Sequence, residues 1–266
     1  PILFCGLALG LGPAVLASAG ATAVVLLAGG LIAALVFAAI ELAPAVLLLR
    51  QALLWREEGG KVIWYPGGYV LADLVAAVAV AGILALLWLA AGEGGIVGVF
   101  DRIVAALPEE MPRGGPVAQA HALLVRWAEW VPGIVAGSWA LMTVLNAILA
   151  QALAVRSGRA RRPSPEMATL EVPGWCAAPL GRAAVGTALT GGALQAAAAL
   201  VLILFALPYL FQGLGVVHAL MRKRFGTGLP LIAFYVLLVV FSWPLVPLLV
   251  LLGLAEAWAG LRRRFA

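Results

Sequence analysis

Charge is what this sequence has least of. Only 11% of its 266 residues are Asp, Glu, Lys or Arg, against about 25% in a soluble domain, and that deficit excludes an ordinary water-soluble globule. Lysine is almost missing, since Lys61 and Lys223 stand against 15 arginines. Cysteine is limited to Cys5 and Cys176, too far apart in sequence for metal-ligand spacing and not expected to form a disulfide. The two histidines, His121 and His218, have no cysteine partner that would complete a metal site. No GxxxxGK[ST], HExxH or GxSxG occurs, which argues against ATP-driven or ordinary hydrolytic chemistry. No catalytic residue and no cofactor are expected.

What the chain has instead is hydrocarbon. Hydrophobic residues make up 64% of it and the mean hydropathy is +1.09, so the lipid bilayer is its expected partner. The net charge of +5 then reads as cationic loops held at the cytoplasmic face, not as a nucleic-acid surface. Pro1 is not an initiator methionine, and further residues, including another span, are expected ahead of it.

The expected fold is all-α: a polytopic bundle of about eight transmembrane helices forming a single integral membrane domain over 1–266. Apolar runs at 2–18, 21–49, 69–92 and 131–153 supply four spans. The longest apolar stretch, 183–264, is interrupted at Pro208 and again at Pro244 and Pro247. Two tight hairpins, with spans near 184–206, 207–221, 229–243 and 245–261, accommodate it. Re-entrant half-helices remain the alternative for the second and third of these. Trp64, Tyr65 and the Pro66-Gly67-Gly68 that follow read as an interfacial turn. Segment 93–130 is expected outside the cytoplasm, with a surface helix over 116–130, and 154–183 is a basic cytoplasmic loop. In this arrangement 14 of the 17 Lys and Arg face one compartment, which the positive-inside rule makes the cytoplasm, C-terminus included.

Polar groups at membrane depth are the candidate site residues, because burying them there is costly. Glu41 suggests a proton or substrate group, or a carboxyl paired to a neighbouring helix. Asn146 shares a face with Trp139 and Thr143, and an interhelical amide bond would explain it as well as a substrate would. Gln195 sits among alanines beside Gly191 and Gly192. Gln212, Gly213 and His218 follow the proline break, where Gly213 allows close approach and Gln212 offers both a donor and an acceptor. Asn146, Gln195 and Gln212 are expected to line a cavity near the midplane. Glu256 and Asp73 lie close to interfaces and read as local ion pairs.

Several short motifs recur in a recognisable order: Trp64-Tyr65-Pro66-Gly67; Asn146 with Ala150-Gln151; Arg162-Pro163-Ser164-Pro165 leading to Leu170, Pro173 and Trp175; Gln212-Gly213-Leu214 with His218; and Gly253-Leu254, Glu256 and Trp258 before Arg262. From about Ala38 to the C-terminus this resembles the YybS-like family of bacterial integral membrane proteins, a domain of unknown function. Glu256 stands where that pattern has an aspartate. The family is loosely similar to the substrate-binding membrane components of energy-coupling-factor vitamin transporters. That likeness is one of fold alone. The expected function is a small-solute transport component of the inner membrane, which would depend on a separate energising subunit because no nucleotide motif is present. An accessory subunit docked against another membrane protein is the alternative.

Overall fold

Proline and glycine set where the helices turn, but not always at the places the sequence suggests. The computed structural model describes residues 1–107, 115–225 and 228–265. It is helical apart from one β-hairpin, with the order α1 (Ile2–Leu9), α2 (Leu11–Phe37), a π-turn (Ala38–Leu42), α3 (Ala43–Ala52), β1 (Trp55–Glu58), β2 (Lys61–Trp64), α4 (Gly67–Ala90), α5 (Gly95–Ala105), α6 (Pro116–Arg126), α7 (Val131–Arg156), α8 (Ala177–Leu189), α9 (Gly192–Phe225), α10 (Leu229–Val240), α11 (Ser242–Ala259) and α12 (Leu261–Phe265). Five helical runs are long and apolar enough to cross a membrane: Leu11–Ala52, Gly67–Ala90, Val131–Arg156, Gly192–Arg222 and Ser242–Ala259. Helix α10 is apolar but shorter.

The first run cannot be straight. Its 42 residues would extend about 63 Å as one helix, yet Gly6 backs directly onto Leu49. The reversal falls at Gly30, whose φ of 78° and ψ of −179° lie outside the helical region inside α2. The expected break near residue 19 does not occur. There the hydroxyls of Ser18 and Thr22 donate to carbonyls one turn back, at 2.8 and 2.9 Å, and the helix continues. The π-turn that follows has its own cause. Pro44 brings no N–H and its ring crowds the carbonyl four residues earlier, so the register widens just ahead of it.

Two further expectations are corrected. Helix α9 passes through Pro208 without interruption, so spans 184–206 and 207–221 are not a hairpin. The chain instead turns at Thr190, which is extended, and at Gly192, which has positive φ. Pro208 is fully buried, and a proline within packed membrane helices is tolerated where its neighbours and small local adjustments re-satisfy the freed backbone groups. Residues 55–64 form a β-hairpin, an element that the expected all-α fold omits. Trp55 pairs with Trp64 and Glu58 with Lys61 across Gly59-Gly60, both at positive φ, as a two-residue hairpin loop requires. The break between α10 and α11 falls at Phe241, and Pro244 lies in the first turn of α11.

The chain forms two compact units. The first comprises Pro1–Leu74, Leu141–Gly174 and Leu207–Ala266. Its tightest crossing joins α9 to α11. A Cβ on Gly213 would lie 2.0 Å from the Leu249 carbonyl oxygen, and one on Gly253 would lie 1.9 Å from that of Tyr209.

The second unit comprises Val75–Ala140 and Trp175–Ala206. There α8 lies against α9, with Gly186 facing Ala198 and Gln195 Nε2 donating to the Thr187 carbonyl at 3.4 Å. Trp175 meets Phe205 edge to face at 5.9 Å, and His121 on α6 bonds Asp101 on α5 at 2.8 Å. Glu109, Glu110 and Arg113 fall outside the described residues.

Candidate functional site

Between α7 and the Gly174–Cys176 turn that leads into α8, residues 157–173 carry no helix or strand except a short turn at Met167–Thr169. Irregular backbone among apolar helices must find partners for its amides and carbonyls. Side chains from the surrounding first unit supply them. Gln151 Nε2 donates to the Arg162 carbonyl at 2.8 Å, and the Val172 amide donates to Gln212 Oε1 at 3.0 Å. Arg262 donates from Nη1 to the Ala168 carbonyl at 2.6 Å and from Nη2 to that of Leu170 at 3.1 Å.

Arg262 is itself held by Glu256, whose Oε1 accepts from Nε at 2.8 Å and whose Oε2 accepts from the Arg262 amide at 2.9 Å. Gly260, in the left-handed conformation, turns the chain back so that the two can meet. The Glu256 reading as a local ion pair is therefore met. On the same segment, Glu166 pairs with Arg222 at the surface. Arg222 and Arg262 thus reach residues of one short stretch.

Arg162 opens the stretch and is 7% exposed. Its Nη1 donates to the Ala52 carbonyl at 2.6 Å and its Nη2 to that of Tyr65 at 3.4 Å, while the guanidinium lies 5.7 Å from the Trp64 ring centroid. Burial lowers its pKa from the usual arginine value, though an arginine remains protonated in a protein. Its Nε–H has no partner. Gln151, also 7% exposed, leaves Oε1 without one.

Close by, Asp73 accepts from Gln51 Nε2 at 2.8 Å and from the Tyr65 hydroxyl at 3.0 Å; it has hydrogen-bond partners here, not the ion pair expected. Burial, followed by the bond to Asp73, raises the Tyr65 phenol above its usual pKa of about 10. A group whose folded pKa is raised contributes stability below the unfolded value and loses it as pH climbs through the folded one. Stability should therefore fall above about pH 10, and Tyr65→Phe should flatten that alkaline slope in thermal melts taken across the range.

Both unpartnered atoms belong to residues lining a cavity of about 400 Å³. Leu48, Leu71, Leu74, Ile148 and Phe211 make its apolar walls, and Met167 and Leu170 of the irregular stretch border it. His218 and Tyr235 also line it, joined Nε2 to Oη at 2.8 Å. Among the described residues, no carboxylate lines it.

Of the residues selected from sequence, His218 lies at this cavity. Gln212 is 3% exposed and bonded to Val172, and Gly213 is closed off by α11. Asn146 is exposed on α7 and Glu41 is exposed in the π-turn. Gln195 belongs to the second unit.

Gln151, Arg162, Tyr235 and Arg262 were not selected. The signal for Arg162 was the adjoining Pro163-Ser164-Pro165, which prevents a helix and forces irregular backbone. Among the described residues no three His, Cys, Asp or Glu side chains gather as a metal site. Compared with known proteins, the chain matches no family model, no curated protein and no solved structure.

Proposed function

We propose that this chain is a multi-pass bacterial inner-membrane protein that holds a small, vitamin-sized solute in the cavity beside Gln151 and Arg162. It would act as the substrate-binding or transport component of a system energised by another subunit. One observation carries the reading: two buried polar side chains, Gln151 and Arg162, line one apolar cavity, and each keeps a hydrogen-bonding atom without a partner, one acceptor and one donor. Binding sites characteristically combine apolar walls with a few convergent polar groups in about 300–1,000 Å³. Non-helical backbone bordering a cavity is also how membrane transporters build their sites.

The arrangement in the membrane belongs to the same proposal. Counting the two legs either side of Gly30 and the short helices α8 and α10, the chain makes about eight full or partial traverses. The basic segments and the C-terminus lie in the cytoplasm.

A thermal-shift screen of detergent-purified protein against small solutes tests the function. A ligand at 100 times its Kd adds about 2.7 kcal/mol of stability, enough for a shift of several degrees. At least one solute should stabilise the wild type and fail to stabilise Leu71→Trp, which fills the cavity. A well-folded wild type that no solute stabilises would contradict the reading.

A second reading, an accessory subunit docked on another membrane protein, draws on Leu11–Ala52. Only 6% of that run's most apolar window is buried. It predicts stoichiometric co-purification under mild extraction, and recovery of a lone monomer would count against it.

A further inference from the structure

The first unit contains two shielded arginines with the same task, since Arg162 and Arg262 each clasp backbone carbonyls around the irregular stretch. They differ in charge balance. Arg262 has Glu256 at 2.8 Å. Among the described residues, no Asp or Glu pairs with Arg162, whose partners are neutral carbonyls and an indole face. Its unused Nε–H belongs to a residue lining a cavity that no described carboxylate lines.

An unneutralised buried charge is costlier than an unmet amide acceptor, so the charge decides what the cavity takes. We infer that the ligand of this cavity is a small amphipathic anion, a carboxylate or phosphate on an apolar body, with its anionic end on Arg162. This rests on the solute-binding reading above and adds the chemical class.

Gln151 refines the class. Its amide orientation is set by the bond from Nε2 to the Arg162 carbonyl, which leaves Oε1 as its unused acceptor. A hydroxyl or N–H near the anionic group, or a water bound with it, completes the site. The apolar walls at Leu71, Leu74, Ile148 and Phe211 take the hydrocarbon part. A free organic acid and the headgroup of an anionic lipid share this chemistry.

The test compares isosteric probes on the full chain in neutral detergent: octanoate, octyl phosphate, uncharged octanamide and dioctanoyl phosphatidate. By calorimetry, octanoate or octyl phosphate should bind at least tenfold tighter than octanamide. Dioctanoyl phosphatidate binding more tightly than either would support the inference with a lipid as source, and its failure beside octanoate binding would support a free acid.

Because Arg162→Gln also releases two carbonyls and is liable to misfold, the decisive variant is Gln151→Glu, which supplies Arg162 with an internal counter-ion. The change also ends the Nε2 bond to the Arg162 carbonyl, so the readout is selectivity between probes and not the melting temperature. The variant's octanoate affinity should fall at least tenfold more than its octanamide affinity. Equal binding of octanamide and octanoate would overturn the inference while leaving a solute cavity in place. So would undiminished octanoate binding by Gln151→Glu. If none of the probes binds, the anion is overturned, and the broader solute screen separately decides the transport reading.

Discussion

Gly253→Val should yield no monodisperse protein after extraction, and Gly253→Ala should melt on the order of 10 °C below wild type. A Cβ there would sit 1.9 Å from the Tyr209 carbonyl oxygen and 2.9 Å from the Gly213 amide nitrogen. Both are backbone atoms of α9, so no rotamer change relieves the clash, and α11 must move off α9. Overpacking a core usually costs about 1–3 kcal/mol where side chains can adjust. Here the loss extends to the contacts of the whole crossing, at a helix pair where small residues alone permit close approach. Gly181→Ala on α8 is the control: nothing lies within 4 Å of its Cβ position, and the better helix propensity should leave the melting temperature equal or slightly higher. Melting curves by intrinsic fluorescence and the void-volume fraction on gel filtration give the comparison.

Arg262→Ala should be the most damaging single loss of a charge. It strips the partner from Glu256, which is 7% exposed, and releases the carbonyls of Ala168 and Leu170. Removing one member of a buried pair costs about 3–5 kcal/mol, because the remaining charge is left without compensation. That corresponds to a fall on the order of 10 °C in a chain of this size. Replacing both partners, Arg262→Leu with Glu256→Leu, should recover much of the loss, since no lone charge is left behind. The exposed pair of Arg222 and Glu166 offers the contrast, and Arg222→Ala should cost no more than about 1 kcal/mol. If Arg262→Ala melts with the wild type, the stretch over Ala168 and Leu170 is not held from this side chain.

The parts of this fold legible in the sequence were those where one physical effect dominates. Helices α4 and α7 are uninterrupted apolar runs, long and apolar enough to cross a membrane. Proline rules misled at Pro208, because they describe a helix on its own, and that position is fully buried among packed neighbours. Gly30 was hidden among 31 glycines, since most glycines in an apolar chain mark close packing and only the coordinates show which one reverses it. The hairpin at Gly59-Gly60 was readable, as a glycine doublet between two four-residue strands, but the surrounding charges suggested a solvated turn.

The site was harder to see for an electrostatic reason. Positive-inside counting gives every arginine of 156–162 the same weight. Only the fold separates Arg162, shielded and short of a counter-ion, from Arg156 and Arg159, which are exposed. Gln212 attracted attention as a mid-helix amide, and its use is to satisfy the amide of Val172.

A cryo-EM map of the full chain in lipid nanodiscs with octanoate present would test the central claim most directly. The account predicts elongated density along Leu71 and Phe211, ending within hydrogen-bond distance of both Arg162 Nε and Gln151 Oε1. A side-chain shift that bonds those two atoms to each other, or a single water between them with the cavity otherwise collapsed, would contradict it.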